Sequence, residues 1–242
     1  MPVTARFLSF NASSYKLKAG LAQYLKKVRN MKNKKLFVAT CFLAAFALWT
    51  LLVSFVDVRA IGPEGSSVGF ASLNRLFYEL IGVNTALYTL TDWLGLIPIA
   101  TALGFALLGL IQFIKRKSLW DVDYSILALG VFYVIVAAVY VFFEIAVINR
   151  RPTLIDGRLE ASYPSSTTVL VTCVMPTAVI QLKERIKNPL TRRCAIVLIT
   201  VFSAFMVIGR ILSGVHWITD IIGGILLSAG LVIAYGSLST HK

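Results

Sequence analysis

Residues 194–236 read CAIVLITVFSAFMVIGRILSGVHWITDIIGGILLSAGLVIAYG, and this stretch decides the fold. It contains two apolar runs, 194–211 and 217–236, which are joined by a short segment that carries polar and ionisable residues. An α-helix needs roughly 20 mainly apolar residues to cross the hydrocarbon core of a bilayer. The stretch therefore predicts two membrane-spanning helices whose junction lies at a membrane surface.

Four more apolar runs of similar length precede this pair. They lie at about 36–56, 92–114, 124–148 and 166–182. Of the 242 residues, 57% are hydrophobic and only 14% are charged, whereas a soluble domain carries about a quarter charged residues. The sequence thus predicts an all-α membrane protein with six transmembrane helices.

Two segments outside the apolar runs have a distinctive composition or pattern. Residues 1–35 are polar and basic, without the order of a cleavable signal peptide. We interpret them as a basic cytoplasmic tail ahead of a membrane domain that comprises residues 36–242. Between the first two runs, the stretch 68–82 has apolar residues at helical spacing, which predicts a helix lying on the membrane surface.

The distribution of positive charge predicts the orientation in the membrane. With the N-terminus inside the cell, 18 of the 24 Lys and Arg residues fall on the cytoplasmic side. Because cationic residues concentrate in cytoplasmic loops, we predict a multi-pass protein of the plasma membrane with both termini in the cytoplasm. The net charge of +13 is then explained by loop placement and contact with anionic lipid, and no nucleic-acid partner is expected.

Polar residues collect in three places, and the predicted topology puts all three at the outer membrane surface. Ionisable groups near membrane depth are costly and are therefore functional candidates. The first place is residues 144–152, where Arg151 precedes Pro152, which would end the third span. A guanidinium matches the oxygens of a phosphate, although an arginine at a helix end can also simply extend towards water.

The second place is the start of the fourth span. Ser165, Ser166 and Thr167 directly precede or open this apolar run. Small hydroxyl residues there would cap a helix whose free N–H groups and positive dipole end attract an anion. The alternative is an ordinary helix cap that binds no ligand.

The third place is the junction of the last two spans. His216 and Asp220 are four residues apart, so they would share one helix face, and the carboxylate would fix the imidazole tautomer. The other ring nitrogen would then be free to attack or to accept a proton, and Arg210 could contact the same anion. His241 is the only other histidine, which excludes a metal site built from several histidines, and no cofactor is expected.

These three segments, in this order, resemble the motifs of the type 2 phosphatidic acid phosphatase superfamily. The motifs of that family are K-x6-R-P, P-S-G-H and S-R-x5-H-x3-D, and the third carries most of the specificity. The resemblance extends over roughly residues 92–236. It agrees with the family's six-helix fold and loop order.

The resemblance implies a role for each matching residue. His216 would be the nucleophile that forms a phosphohistidine intermediate, and Asp220 would orient it. The phosphate would be held by Arg151, Arg210, Ser165, Ser166 and Thr167. The family needs no metal, because arginines and backbone amides neutralise the charge of the transition state.

The sequence departs from the family motifs at three positions. Glu144 stands where the family has lysine, Thr167 where it has the histidine that protonates the leaving group, and Gly209 where it has serine. We expect the lost acid to matter least for a leaving group that needs no proton, such as that of undecaprenyl pyrophosphate or another polyprenyl pyrophosphate. Alternatively, a carboxylate could replace it, and the candidates are Glu144, Asp156 and Glu160.

Three functions are compatible with this pattern. The first is metal-independent dephosphorylation of a lipid phosphate or pyrophosphate at the outer face of the membrane. The second is binding of a phosphorylated lipid by an inactive relative of the enzymes, and the third is transfer of the phosphoryl group to an acceptor other than water. The oligomeric state is not predicted from the sequence.

Overall fold

A computed structural model describes the backbone of residues 3–239 and the side chains of residues 20, 23, 24 and 26–239. In this part of the chain there are eight α-helices and one two-stranded antiparallel ladder. The helices are α1 (Val3–Phe55), α2 (Ala71–Ile81), α3 (Thr85–Leu94), α4 (Leu96–Arg116), α5 (Tyr124–Ile145), α6 (Ser166–Arg185), α7 (Pro189–Leu212) and α8 (Ile218–Leu238). The strands are β1 (Arg59–Ala60) and β2 (Ser67–Val68), between α1 and α2.

Six helical segments of the described residues are long and apolar enough to cross a membrane. They are Lys26–Phe55, Thr85–Arg116, Tyr124–Ile145, Ser166–Arg185, Pro189–Leu212 and Ile218–Leu238. The prediction of an all-α membrane protein with six transmembrane helices is confirmed.

The observed span boundaries differ from the predicted ones by up to ten residues, and two of the differences have a clear structural reason. The second span is longer, because α3 and α4 follow each other across Gly95, whose φ of −60° and ψ of −17° are helical. The third span is shorter, since α5 ends at Ile145 and Pro152 is not the residue that ends it. The chain leaves α5 earlier because it forms a hairpin, at whose base Arg150 pairs with Ala161.

The basic segment ahead of the first predicted span and the segment predicted to lie on the membrane surface are largely helical. Helix α1 runs from Val3 to Phe55, so the described part of the predicted tail 1–35 is continuous with the first span. The helix predicted over 68–82 is α2, which has an exposed pair between Arg75 and Glu79 at 2.7 Å. Asn74 on the same helix is fully buried, and its amide donates to Thr219 Oγ1 over 3.0 Å. This contact fixes α2 against the start of α8.

Helix α8 lies at the centre of the fold and packs against α1 and α6. Its glycines allow close approach: a Cβ on Gly223 would lie 2.6 Å from the ring of Tyr163, and one on Gly230 would lie 2.7 Å from Leu43. Small residues have this role in the packing of membrane helices. The Tyr163 ring in turn stacks on Phe46 at a centroid distance of 6.2 Å, which connects the core to the loop that precedes α6.

The basic end of the molecule is held together by Asp123. This carboxylate contacts Arg116 at 3.0 Å and Arg185 at 3.4 Å, so the α4–α5 and α6–α7 connections lie at the same end. Burial acts to raise the pKa of Asp123, but hydrogen bonds from Arg116 and Gln112 outweigh it and hold the pKa below its ordinary value. The α5–α6 and α7–α8 connections lie at the opposite end.

That opposite end depends on a close backbone contact at Gly214. Its φ of +66° lies in the left-handed region, and a Cβ there would be 1.9 Å from the carbonyl oxygen of Gly82. The neighbouring Ser213 carbonyl accepts a hydrogen bond from the Asn84 N–H over 3.0 Å. The start of α3 is therefore tied to the turn between α7 and α8.

We expect Gly214→Ala to destabilise the protein by about 2 kcal/mol or more, because the side chain adds left-handed strain to a backbone clash. For a chain of this size that corresponds to a fall in Tm of roughly 4–8 °C. The measurement is thermal unfolding of the detergent-solubilised protein. Gly104→Ala, in α4 with no atom within 4 Å of the added Cβ, is the control and should not lower Tm. Equal Tm values for the two variants would contradict the expectation.

Candidate active site

His216 lies in the turn between α7 and α8, and its side chain is 1% exposed. The expectation that it shares a helix face with Asp220 is wrong, because α8 begins only at Ile218. Asp220 lies in the first turn of α8, and its Oδ2 is 3.9 Å from His216 Nδ1. This distance is too long for a hydrogen bond.

Ser162 bridges the two residues. Its Oγ lies 3.2 Å from His216 Nδ1 and forms a short hydrogen bond with Asp220 Oδ2. Because an ionised carboxylate only accepts, the Ser162 hydroxyl donates to Asp220 and its lone pair accepts from the Nδ1–H of His216. The other nitrogen, Nε2, then has no proton. The sequence prediction missed Ser162. Nothing in the local sequence distinguishes it from the nearby hydroxyl residues, and only the fold places it between His216 and Asp220.

Asp220 accepts further hydrogen bonds that fix its carboxylate. The Trp217 N–H donates to Oδ2 and the Asn149 amide donates to Oδ1, each over 3.1 Å. Asn149 Oδ1 accepts in turn from the N–H of Gly69 over 3.2 Å. A Cβ on Gly69 would lie 1.6 Å from the Val53 carbonyl oxygen, so only glycine allows this backbone approach. Two connections of the fold, α5–α6 and α7–α8, therefore meet at one buried carboxylate, and the α1–α2 connection is tied to them through Asn149.

Two buried arginines flank the free nitrogen of His216. Arg151 Nη1 lies 3.2 Å from Nε2 and Arg210 Nη2 lies 3.5 Å from it, with side chains 9% and 1% exposed. Burial and these two positive charges lower the pKa of His216 well below its ordinary value. The imidazole is therefore neutral at physiological pH, with its Nε2 lone pair between the guanidinium groups.

The protein compensates the two positive charges only partly. Arg151 Nε lies 3.0 Å from a carboxylate oxygen of Glu160, and Arg210 Nη1 lies 4.0 Å from one of Asp92. These carboxylates are 43% and 60% exposed, so water screens them. Within the described residues, Arg210 Nε has no hydrogen-bond partner, and the contact of Arg151 Nε with Glu160 is an ion pair without hydrogen-bond geometry. Since an uncompensated buried charge costs several kcal/mol, the arrangement favours a bound anion.

A cavity of about 510 Å³ opens beside His216. Ser166 and Thr167 line this cavity near His216, and their binding of a phosphate stays a prediction. Ser165 lies behind this wall, fully buried, and its hydroxyl accepts from Thr168 Oγ1 over 3.0 Å. The Ser165 N–H donates to the Asp220 carbonyl over 3.1 Å. Ser165 thus positions the start of α6 and does not line the cavity.

The three candidate acids lie in different environments in the structure. Glu144 lines the cavity, whereas Glu160 is paired with Arg151. Asp156 is exposed at the tip of the hairpin, beyond the bridge between Ile155 and Arg158. A fourth carboxylate, Asp92 on α3, also lines the cavity. No motif in the sequence indicated Asp92.

The glycine at position 209 is explained by helix packing, which the motif alone does not reveal. A Cβ at this position would lie 2.7 Å from Cγ2 of the fully buried Thr91 on α3. This close approach lets Thr91 Oγ1 accept a hydrogen bond from Arg210 Nη1 over 3.3 Å. The ring of Tyr88, also on α3, lies 5.1 Å from the guanidinium carbon, within the range of a cation–π contact.

We therefore expect Gly209→Ser, which restores the family's residue, to destabilise the protein. Overpacking of this kind costs about 1–3 kcal/mol, or roughly 2–12 °C in Tm. Thermal unfolding of Gly209→Ser, Thr91→Ala and the double variant forms a double-mutant cycle. The double variant should be more stable than the sum of the single effects predicts, and strict additivity would show that the two positions do not clash.

Among the described residues, no group of three or more His, Cys, Asp or Glu side chains is placed to bind a metal ion. The two arginines beside His216 and the helix N-terminus at Ser166 are instead suited to an anion.

Comparisons with known proteins agree with the predicted resemblance. Residues 146–240 match the model of the PAP2 superfamily, and no curated protein matches the chain. A solved structure from Bacillus subtilis, described as the first transmembrane PAP2 type phosphatidylglycerolphosphate phosphatase, is 21% identical. The match covers 68% of this chain and 92% of that chain, with a TM-score of 0.37. The resemblance predicted from the motifs is confirmed for residues 146–240, which contain His216, Asp220, Arg151 and Arg210.

Proposed function

We propose that the protein is a metal-independent phosphatase that removes phosphate from a lipid phosphate or lipid pyrophosphate. The reaction proceeds through a phosphohistidine at His216, at the outer face of the plasma membrane. The match to the PAP2 superfamily supports lipid dephosphorylation in general. The observation that carries the proposal is the position of His216 Nε2 between the buried guanidinium groups of Arg151 and Arg210, at 3.2 and 3.5 Å.

In the first step, His216 Nε2 attacks the phosphorus of the substrate. The Nε2–P bond forms as the bond from phosphorus to the leaving oxygen breaks. Arg151 and Arg210 neutralise charge on the phosphoryl oxygens, and such stabilisation acts strongly where water is excluded. The imidazole becomes cationic, and the Ser162–Asp220 pair at Nδ1 stabilises this charge.

In the second step, a water molecule attacks the phosphorus of the phosphohistidine. The O–P bond forms, the Nε2–P bond breaks and inorganic phosphate is released. His216 returns to its neutral tautomer because the hydrogen bond from Nδ1–H to Ser162 is retained throughout. Ser162 is thus a positioning residue that acts through His216.

The leaving group decides which lipid reacts best. Thr167 stands at the position of the family's acid and lines the cavity, but a hydroxyl is a poor proton donor. A pyrophosphate leaves as a stabilised phosphate and needs no proton, so we propose that lipid pyrophosphates such as undecaprenyl pyrophosphate are preferred. For monophosphates, Glu144 is the favoured substitute acid because, of the three predicted candidates, it alone lines the cavity.

Charge placement supports the proposed orientation. The Arg116–Asp123–Arg185 cluster and the other basic residues of the α4–α5 and α6–α7 connections lie at the end opposite His216. The positive-inside rule puts the basic end in the cytoplasm, so both termini are cytoplasmic and the cavity faces outside.

An inactive lipid-phosphate binder is the second candidate function, because Glu144 and Thr167 replace the family's lysine and histidine. Binding alone would use the two arginines but would not need a neutral, oriented imidazole. Phosphotransfer to another acceptor uses the same first step and differs only in what attacks the phosphohistidine.

The direct test is phosphate release by the purified protein in detergent from lipid mono- and pyrophosphates, with and without EDTA. We expect release that EDTA does not reduce and that His216→Ala lowers by at least about a thousand-fold, as for other nucleophile deletions. Loss of activity with EDTA would contradict metal independence. Unchanged release by His216→Ala would contradict the phosphohistidine, and binding without release would favour the inactive relative.

The acid hypothesis predicts opposite effects of two substitutions on the ratio of monophosphate to pyrophosphate turnover. Thr167→His should raise the ratio, by up to about 10²-fold, because it restores a general acid. Glu144→Gln should lower the ratio, since it removes the substitute acid but leaves pyrophosphate cleavage less affected. Steady-state kcat for both substrates gives the ratio, and a ratio that neither substitution changes would refute the hypothesis.

A further inference from the structure

The cavity beside His216 continues away from the polar end between α4, α5 and α6. Its deeper walls are apolar and include Ile99, Ala102, Val136 and Leu170. Along α5 it extends from Glu144 to Tyr133, a distance of about 16 Å at 1.5 Å per residue. The cavity therefore reaches about halfway through the hydrocarbon core of a bilayer.

A second cavity, of about 340 Å³, begins where the first one ends. Tyr133 lines both cavities and therefore lies where they adjoin. Its hydroxyl lies 3.2 Å from Thr177 Oγ1 on α6, which fixes the ring in place. The second cavity continues between α4 and α5 to Ile126, about 10 Å further along the helix.

We infer that the two cavities form one binding site for the single long apolar chain of a polyprenyl phosphate or pyrophosphate, with Tyr133 as the divider. The inference rests on the proposed function, whose site binds the phosphate end of the same lipid. A short chain ends above Tyr133, whereas a long chain passes the ring and enters the lower cavity.

Three observations favour this occupant. The polar end of the upper cavity is next to the two cationic side chains, Arg151 and Arg210, and the walls below it are apolar, which matches a charged head and an apolar chain. The cavities follow one seam between α4 and α5, which suits one chain better than two. Gly109 and Gly130 line the lower cavity, so the backbone leaves room for a chain there.

The inference predicts that the lower cavity affects long chains only. Gly130 has no atom within 4 Å of an added Cβ, so Gly130→Phe can place its ring in the lower cavity without a backbone clash. We expect this variant to lower the ratio of kcat/KM for undecaprenyl pyrophosphate to kcat/KM for farnesyl pyrophosphate by about ten-fold. That is the effect expected when about two methylene groups of the long chain are no longer buried. The matched control is Val131→Phe, because Val131 is 62% exposed and lines neither cavity. It should leave the ratio unchanged.

Substitutions of Tyr133 test the divider directly. Tyr133→Ala joins the cavities and should raise the same ratio, whereas Tyr133→Phe keeps the ring and should shift it little. Equal ratios in Gly130→Phe, Val131→Phe and the unmodified protein would overturn the inference, as would equal ratios in Tyr133→Ala and Tyr133→Phe.

A binding measurement separates this inference from the proposed function. The Kd values of farnesyl and undecaprenyl phosphate are measured for the His216→Ala protein, alone and combined with Gly130→Phe or Val131→Phe. If the unmodified protein hydrolyses no lipid but Gly130→Phe selectively weakens the long chain, the proposed function fails and the chain site stands. If hydrolysis is observed but neither kcat/KM nor Kd depends on Gly130→Phe, the chain site fails and the proposed function stands.

Discussion

The buried carboxylate of Asp220 is the interaction on which the rest of the site depends. A carboxylate removed from water is tolerated only when hydrogen bonds replace its hydration. Its donors are Ser162, Trp217 and Asn149, from the α5–α6 and α7–α8 connections. Satisfying one acidic group therefore fixes two loops at once and, through Ser162, the orientation of His216.

The positive charge beside this network, unlike the Asp220 carboxylate, is only partly compensated by the protein. Arg151 and Arg210 are both buried beside the Nε2 of His216. Their carboxylate partners are partly exposed. The protein thus keeps a neutral base and an excess of positive charge in one place. Both properties suit attack on a phosphate, because the nucleophilic nitrogen has no proton and the phosphate oxygens would meet preorganised donors.

The departures from the family motifs have structural consequences of different kinds. Gly209 allows α3 to approach, so that Thr91 supplies a hydroxyl to Arg210 from a helix outside the matched segment 146–240. Thr167 and Glu144 instead change the chemistry available at the cavity wall. The first departure is explained by packing, while the other two would affect which leaving groups the proposed reaction can release.

The sequence by itself determined the six spans and the three segments that form the site. Both follow from local properties, since the length of an apolar run decides whether a helix can cross a bilayer and the polar residues interrupt those runs at recognisable spacings. Only the tertiary structure placed Ser162 between His216 and Asp220, Thr91 against Arg210 and Asn74 against Thr219. These partners are 54, 119 and 145 residues apart. Such contacts depend on how whole helices pack, where a glycine admits a neighbouring backbone and which buried groups still need a hydrogen bond, and none of these is a property of a short stretch of sequence.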